Sequence, residues 1–298
     1  MLGLDSTKKP HCAGVYLQLK SKFSTTARGS WFNLTHLKAD SGNTMRHSHH
    51  HSWHEIYFVV DGELGYFIKN NIYHVTAGDI ILLDRHEIHS AIFSSLDLSE
   101  GIVLEFRGSE IYNMLPPEHP FNPLGVFGDG GSVIHLEPGT SAGVESFLMK
   151  MLGEGQKDET GADAVIRSLL IQLLVTLARH SENSEISGGA THTIVMQVAD
   201  YICTNYADDI SVGKLSDTFF ISPFYLMKIF KKYTGFSIIN YLNRVRVKEA
   251  AKMLERSAMS ITDISAAAGF SNVTHFGRVF RQVMGDSPRS YRSAFRSR

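Results

Sequence analysis

The chain has 298 residues, of which 43% are hydrophobic and 20% are charged. This length and hydrophobic content suffice for two or three compact domains and exclude a disordered or collagen-like chain. No stretch reaches the roughly 20 uncharged apolar residues that a membrane helix needs, and the N-terminus lacks a hydrophobic run of signal-peptide length. We therefore expect a cytoplasmic protein without a membrane partner.

Charge is distributed unevenly along the chain, although the formal net charge is only -1. Residues 193–298 contain fifteen Lys and Arg against eight Asp and Glu, a net charge of +7. The preceding 192 residues carry fourteen basic and twenty-two acidic side chains, a net charge of -8. A basic C-terminal third on an acidic remainder indicates a nucleic-acid footprint that is confined to one domain.

Short apolar segments alternate with turn residues from about residue 31 to residue 104. The clearest segments span residues 54–60, 64–69, 72–76 and 79–83, and Asp61-Gly62, Asn70-Asn71 and Ala77-Gly78 separate them. Segments of this length with these turns are typical of antiparallel hairpins. We predict a small β-barrel or sandwich over residues 31–125, preceded by an N-terminal arm over residues 1–30.

Helical periodicity replaces the strand pattern in residues 141–155 and 161–180. A stripe of leucines marks one face of the second helix: Leu169, Leu170, Leu173, Leu174 and Leu177. This stripe either forms the contact of a homodimer, with residues 126–180 as a helical dimerisation segment, or packs on the chain's own barrel. Residues 181–192 are polar and rich in Gly and Ser, which predicts a flexible linker before a domain of residues 193–298.

The C-terminal domain contains an internal repeat with an offset of 49 to 50 residues. The matched pairs are Leu215-Ser216 with Ile264-Ser265, Phe230-Lys231 with Phe280-Arg281, Gly235 with Gly285, Ser237 with Ser287, and Tyr241 with Tyr291. So many matches in register indicate a duplicated unit.

Each unit has the pattern of a helix-turn-helix. In the first unit, Ser211 is placed to cap a short helix and Ser222 to cap a second helix that begins at Pro223. In the second unit, Ser260 and Ser271 take these positions, and Gly269 makes the turn. The amphipathic segment 239–257 joins the two units. Two recognition helices on one rigid helix would enter successive faces of the major groove, about 34 Å apart.

The segment 261–292 carries the most specific pattern in the chain: Gly269-Phe270 at the turn, Arg278-Val279-Phe280 in the helix, and Gly285-x-Ser287-Pro288-x-x-Tyr291-Arg292 at the end. This pattern resembles the AraC/XylS family of bacterial transcription regulators, and the barrel with two trailing helices resembles the cupin-type sensor of its sugar-responsive members. The resemblance implies a multi-domain α+β protein, with a cupin-like antiparallel β-barrel and two trailing helices before an all-α tandem helix-turn-helix domain.

The resemblance also implies which side chains meet DNA. The first recognition helix would present Phe224, Tyr225, Met227 and Lys228, and the second Val273, Thr274, His275, Gly277 and Arg278. Lys228 and Arg278 could reach guanine edges, and Thr274 or Val273 a thymine methyl group. Phosphate contacts would come from Lys231, Lys232, Arg244, Arg246, Arg281 and Arg289, with a partly structural role as the alternative for Arg246 and Arg281. The first unit departs from the second at Phe220, which stands at the position of Gly269.

A cluster of histidines precedes the first predicted strand. His49, His51 and Glu55, with the later His89, fit the cupin metal pattern and would suit a divalent metal ion. The second cupin motif departs from that pattern, because Asp84 and His86 stand where Pro and Gly are expected. The same residues could instead line a small-molecule pocket or be structural histidines. For an effector pocket the candidates are His49, His51, Trp53, Glu55, Tyr57, Tyr66 and His89, which combine aromatic rings with hydrogen-bonding groups.

We therefore expect a sequence-specific DNA-binding transcription regulator rather than an enzyme. Family habit favours an activator whose effector is a carbohydrate bound in the cupin domain. Its partners would be promoter DNA, a second copy of the chain and RNA polymerase. No cofactor is expected unless the histidine cluster holds a metal ion. The alternatives are a metal-dependent cupin enzyme fused to a DNA-binding module and a DNA-binding protein without an effector.

Overall fold

A computed structural model describes residues 21–39, 53–85, 87–92, 99–112, 114–115, 120–128, 132–157, 159–180 and 190–296. The strands of the N-terminal domain are β1 Ser21–Arg28, β2 Phe32–Ala39, β3 His54–Asp61, β4 Glu63–Ile68, β5 Asn71–Thr76, β6 Ile80–Leu83, β7 His89–Ile92, β8 Ser99–Phe106 and β9 Ser132–Ile134. Its helices are α1 Gly108–Tyr112, α2 Pro138–Gln156 and α3 Ala162–Arg179, with a 3-10 turn at Gly125–Phe127.

The nine strands form two antiparallel sheets that face each other. The large sheet has the order β1-β2-β8-β3-β6-β9, and the small sheet has the order β5-β4-β7. Side chains alternate between the two faces of each strand. In β3, Tyr57 and Val59 therefore face the small sheet, whereas Ile56 and Phe58 face the opposite side. This sandwich confirms the predicted antiparallel domain, whose four clearest segments coincide with β3 to β6.

Helices α2 and α3 cover the outer face of the large sheet. Leu170, Leu173, Leu174 and Leu177 are fully buried there, in one core cluster with the outer residues of the sheet. Trp31 fixes this contact, because its indole Nε1 donates a 2.6 Å hydrogen bond to Asp163 Oδ1 of α3. The leucine stripe therefore packs on the chain's own sheet, the second of the two predicted alternatives.

The outer face of the small sheet packs on the C-terminal domain. Phe67, Ile72 and Ile88 join one core cluster with residues of that domain. The ring of Phe67 lies 6.0 Å from the ring of Tyr241, centroid to centroid. The Tyr241 hydroxyl donates to the Lys69 carbonyl oxygen, and the Lys248 ammonium forms an ion pair with the Glu87 carboxylate. The two domains thus share an apolar contact that contains a buried ion pair.

The C-terminal domain is helical throughout its described length. Its helices are α4 Ala190–Thr204, α5 Val212–Thr218, α6 Pro223–Thr234, α7 Ile238–Arg256, α8 Ile261–Ala267, α9 Val273–Met284 and α10 Pro288–Arg296. The two predicted helix-turn-helix units are α5–α6 and α8–α9, joined by α7. Across the described ranges, no helix combines the length and apolar character needed to cross a membrane.

Three boundaries differ from the sequence predictions. Strand β1 lies inside the expected N-terminal arm, because its pairing with β2 extends the large sheet by one strand. Helix α4 begins at Ala190, inside the expected linker, of which residues 181–189 lie outside the described residues. The sequence does not predict helix α10 as an element of its own, although the pattern Ser287-Pro288-x-x-Tyr291-Arg292 covers its first turns.

The pair formed by Glu87 and Lys248 yields a stability prediction. Glu87 is 1% exposed, and burial raises the pKa of its carboxyl while the Lys248 charge opposes that rise. Replacing Lys248 by Met leaves a buried carboxylate without its cation. We expect the free energy of unfolding at neutral pH, measured by urea denaturation, to fall by about 3 kcal/mol. Because folding then favours the protonated carboxyl, this loss should shrink as the pH is lowered.

Lys252→Met is the matched control on the same helix. Lys252 is exposed and pairs with Glu249 at 2.8 Å, so its loss should change stability by less than about 1 kcal/mol. The double variant Glu87→Gln, Lys248→Met should regain part of the loss. Equal stability of Lys248→Met and Lys252→Met would show that the buried pair does not hold the domains together.

Candidate nucleic-acid interface and effector site

Side-chain caps define both helices of the first helix-turn-helix unit. The Ser211 hydroxyl accepts from the Lys214 backbone N–H at 3.2 Å, and the Ser222 hydroxyl accepts from the Tyr225 N–H at 3.3 Å. Pro223 occupies the first helical position of α6, and Gly235 ends the helix with a φ of 76°. These caps are those that the sequence predicts.

The second unit is capped in the same way with one difference. Ser260 caps α8, as predicted, by accepting from the Asp263 N–H at 3.1 Å. Helix α9, however, is capped by Asn272 rather than by Ser271. The Asn272 side-chain oxygen accepts from the N–H groups of Thr274 and His275, at 2.7 and 3.1 Å. The predicted cap was therefore one residue too early.

The turns of the two units share a left-handed backbone conformation but differ in the space around them. Gly269 has a φ of 82°, and a Cβ placed there would lie 2.7 Å from the Ala207 carbonyl oxygen. Phe220, at the equivalent position, has a φ of 53° and is 97% exposed. The second turn thus requires glycine for both conformation and space, whereas the first accommodates a side chain that points into solvent.

Both recognition helices bury one face and expose another. Helix α6 buries Leu226, Ile229 and Phe230, and helix α9 buries Phe276, Val279 and Phe280. The opposite faces carry most of the side chains that the family resemblance implies for base contacts; the exposed ones are Phe224, Tyr225, Met227, Lys228, Val273, Thr274 and Arg278. His275 and Gly277 are half-buried. The two exposed faces therefore offer apolar and hydrogen-bonding groups to base edges.

Basic side chains flank these faces. Lys231, Lys232, Arg281 and Arg289 are exposed, as phosphate contacts require. Arg246 differs, because its guanidinium donates to the carbonyl oxygens of Tyr206 and Asp208 at 2.7 and 2.8 Å. These bonds support the partly structural role that was the alternative for Arg246, and its phosphate contact stays a prediction.

Arg244 also works within the fold rather than at its surface. Its guanidinium lies 4.6 Å from the ring centroid of Phe236, and its Nε donates to Asn240 Oδ1 at 2.8 Å. Burial lowers the pKa of Arg244 to about 10. The expected phosphate contact of Arg244 is therefore corrected to packing at the start of α7.

Four of the predicted effector residues belong to the interior of the sandwich. Glu55, Tyr57, Tyr66 and His89 are all buried. The Tyr66 ring lies 6.2 Å from the His89 ring and 6.1 Å from the Tyr57 ring, between centroids. Burial, and after it the nearby Glu55 charge, raises the pKa of Tyr66 well above its ordinary value. These side chains form a polar and aromatic group in an otherwise aliphatic core.

Trp53 is the exception among the described effector candidates. It lies outside the interior, where its ring is covered by the Arg107 guanidinium at 5.2 Å from the centroid. His49 and His51, which were predicted for both effector and metal binding, lie outside the described residues. Within the described residues, no group of three or more His, Cys, Asp or Glu side chains is arranged to hold a metal ion.

Sequence reasoning missed the residues of the contact between the domains. Tyr241, Val245 and Lys248 follow the helical spacing of one face of α7, and Lys248 interrupts an otherwise apolar stripe. A lysine on such a stripe is a signal of a buried partner. The sequence did not show that this partner is Glu87, because the two residues are 161 positions apart.

Comparison with known proteins places both domains in families. Residues 34–174 match the model of an AraC-like ligand binding domain, and residues 215–294 match that of a helix-turn-helix domain. The chain belongs to the AraC family. It is therefore a DNA-binding transcription regulator with a ligand-binding domain, which confirms the predicted function and fold class. The enzyme alternative is not supported, because the relatives that this AraC-family chain matches are transcription regulators.

Individual relatives cover most of this AraC-family chain. The HTH-type transcriptional activator RhaS of Pectobacterium atrosepticum is 28% identical over 82% of this chain and 86% of its own length. RhaS of Escherichia coli SMS-3-5 is 26% identical over the same shares. Among solved structures, an apo variant of ToxT from Vibrio cholerae covers 90% of this chain and 98% of its own, with 13% identity and a TM-score of 0.40.

The turn of the second unit gives a stability prediction. Gly269→Ala places a methyl group against the Ala207 carbonyl oxygen in a left-handed conformation. We expect urea denaturation to show a loss of about 2 kcal/mol or more. Gly277→Ala is the control, because nothing lies within 4 Å of its Cβ position in α9 and a helical Gly-to-Ala change stabilises by about 0.5–1 kcal/mol. Similar effects of both substitutions would contradict this account of the turn.

Base and phosphate contacts can be separated by DNA binding. Arg278→Ala should cost about 1–3 kcal/mol on the specific site and relax its sequence preference at one position. Lys232→Ala should weaken binding to all sequences alike. It should also reduce the slope of log affinity against log salt concentration by about one. Lys150→Ala, an exposed lysine of α2 in the sensor domain, should leave both quantities unchanged. A uniform loss for Arg278→Ala would instead make Arg278 a phosphate contact.

Proposed function

We propose that this AraC-family chain is a transcription activator whose promoter binding is gated by a carbohydrate in the interior of the sensor sandwich. The observation that supports this function is the direct packing of the small sheet on the first helix-turn-helix unit. Strand β4 places Tyr66 in the interior and Phe67 against the C-terminal domain, and at the start of β7 His89 is buried while the preceding Ile88 packs on that domain. One pair of strands therefore touches both the effector site and the DNA-binding domain.

Control of DNA binding by a ligand follows from this pair of strands. A ligand that displaces Tyr66 or His89 would move the neighbouring residues of the same strands, and with them the contacts to Tyr241 and Lys248. Such a ligand changes DNA affinity only to the extent that it binds the two domain arrangements differently. Coupling of about 1–3 kcal/mol, or roughly 5- to 150-fold in DNA affinity, is usual for two linked sites.

A carbohydrate fits the chemistry of the interior group. Tyr57 and Tyr66 offer aromatic faces, and Glu55 and His89 offer hydrogen-bonding groups in a buried setting. An activator role is supported by the RhaS relatives, which are transcriptional activators by name. In that role the chain would contact RNA polymerase.

A homodimer completes the proposal. Because the leucine stripe of α3 is used within the chain, a second copy would meet the exposed apolar side chains Met149 of α2 and Val165 of α3. In this proposal the sensor precedes a DNA-binding domain whose first helix is α4, Ala190–Thr204.

A DNA titration tests this function. The full chain is added to the upstream intergenic DNA over a salt series, with and without a panel of sugars, and binding is measured by fluorescence anisotropy. We expect specific binding that one sugar shifts at least fivefold. Glu55→Gln should abolish the shift and keep the DNA affinity, because Glu55 lies in the sandwich interior. Glu63→Gln, an exposed carboxylate on β4, should keep both. Specific binding that no sugar alters would favour the alternative of a DNA-binding protein without an effector.

A further inference from the structure

A cavity lies outside the sandwich, between the sensor domain and α10. Its volume is about 740 Å³, within the range of small-molecule sites. Trp53, His54 and Arg107 line it from the sensor domain, and Asp286 and Tyr291 line it from the DNA-binding domain. The interior residues Glu55, Tyr57, Tyr66 and His89 do not line it. A ligand here would therefore touch both domains directly.

A cation faces this cavity without a carboxylate partner. The Arg107 guanidinium is exposed and lies over the Trp53 ring, and no carboxylate pairs with it among the described side chains. Arg85 lines the same cavity next to the Asp84 carboxylate, whose pKa it helps to lower. Planar guanidinium groups bind carboxylates and phosphates through paired hydrogen bonds. Arg107 therefore favours an anionic group in the ligand.

A buried histidine supplies a hydrogen-bond acceptor on the wall of the same cavity. His54 is 5% exposed, and its Nε2 lies 3.2 Å from Asp84 Oδ1. Burial raises the pKa of the Asp84 carboxyl, but the His54 hydrogen bond and nearby charges lower it by more, so this pKa lies below its ordinary value. Asp84 is therefore ionised and accepts from Nε2. In the neutral tautomer that donates from Nε2, Nδ1 is the acceptor of the ring.

That acceptor is left open in the fold. Among the described residues, His54 Nδ1 is buried and has no hydrogen-bond partner. A buried acceptor without a partner is costly, which favours a ligand donor at this position. Gly108 lies directly beside the ring, where only glycine fits, since a Cβ there would lie 2.9 Å from Nδ1. A ligand hydroxyl could therefore donate to this nitrogen.

The remaining wall suits a compact ring with hydroxyl groups. Trp53 and Phe127 contribute aromatic surface, and the exposed Asp286 carboxylate contributes an acceptor from the DNA-binding domain. Aromatic faces with hydrogen-bonding groups at their edges match a ring whose faces are apolar and whose edges carry hydroxyls.

We propose that this cavity binds a small hydroxylated organic anion, a sugar acid or a sugar phosphate, whose anionic group meets Arg107 and whose hydroxyls meet His54 Nδ1 and Asp286. The ligand bridges the sensor domain and α10 and so stabilises one arrangement of the two domains. This site is separate from the sandwich interior, and only its effect on DNA affinity rests on the proposed function.

Isothermal titration of the full chain tests the site directly. The probes are gluconate, glucuronate and glucose 6-phosphate, with glucose as the neutral ligand and acetate and inorganic phosphate as the anions without a ring. We expect saturable binding of a sugar acid or a sugar phosphate, with glucose, acetate and phosphate at least tenfold weaker. Which of the two anions binds more tightly separates a carboxylate site from a phosphate site.

Variants on both sides of the cavity make the test specific. Arg107→Gln should weaken binding of the anionic sugar at least tenfold, and Asp286→Asn severalfold, although Asp286 lies outside the sensor domain. Both side chains are exposed, so neither substitution should prevent folding. Arg28→Gln, an exposed arginine of the sensor that does not line the cavity, is the matched control and should bind as the wild type does.

Three results would separate this inference from the proposed function. Equal affinity of Arg107→Gln and the wild type, or no binding by any probe, overturns the cavity site. Binding that Glu55→Gln abolishes and Arg107→Gln leaves intact also overturns it, and supports an effector in the sandwich interior instead. Binding that requires Arg107 but leaves promoter affinity unchanged upholds the site and removes only its link to DNA binding.

Discussion

The sandwich of the sensor domain has apolar side chains on its outer faces as well as inside, and their burial determines what packs on each sheet. The outer face of the large sheet is broadly apolar, whereas the outer face of the small sheet presents Phe67 and Ile72 beside exposed polar side chains such as Glu63 and His74. Helices α2 and α3 cover the large sheet, and the first helix-turn-helix unit covers the small one. Leaving such a face in water costs about 25 cal/mol per Å². The DNA-binding domain is therefore part of the burial that stabilises the sensor.

The two helix-turn-helix units are held in a fixed relation by one short loop. The loop that follows α4 gives the Tyr206 and Asp208 carbonyl oxygens to Arg246 of α7, and its Ala207 carbonyl packs against Gly269 of the second unit. Arg246 also lies 5.6 Å from the ring centroid of Phe270. A single arginine thus contacts both this loop and the turn of the second unit.

Charge at the domain boundary adds specificity to an apolar contact. The carboxylate of Glu87 requires a cation, and Lys248 supplies it across the domain boundary. The cavity beside α10 differs, because His54 Nδ1 has no hydrogen-bond partner and Arg107 has no carboxylate partner among the described residues. The charges at the Glu87–Lys248 contact are therefore paired within the chain, whereas the proposed ligand would supply the partners at the cavity.

The sequence by itself determined the features that depend on neighbouring residues. Turn dipeptides predicted β3 to β6, and the caps Ser211, Ser222 and Ser260 predicted three helix starts, because hairpins and caps involve residues only a few positions apart. The duplicated pattern, read as a resemblance, led to the AraC family. Tertiary structure alone decided that Trp53 lies outside the sandwich interior, that Arg246 donates to backbone carbonyl oxygens of its own domain, and that Glu87 pairs with Lys248. These outcomes depend on residues tens to more than a hundred positions apart, which no local pattern relates.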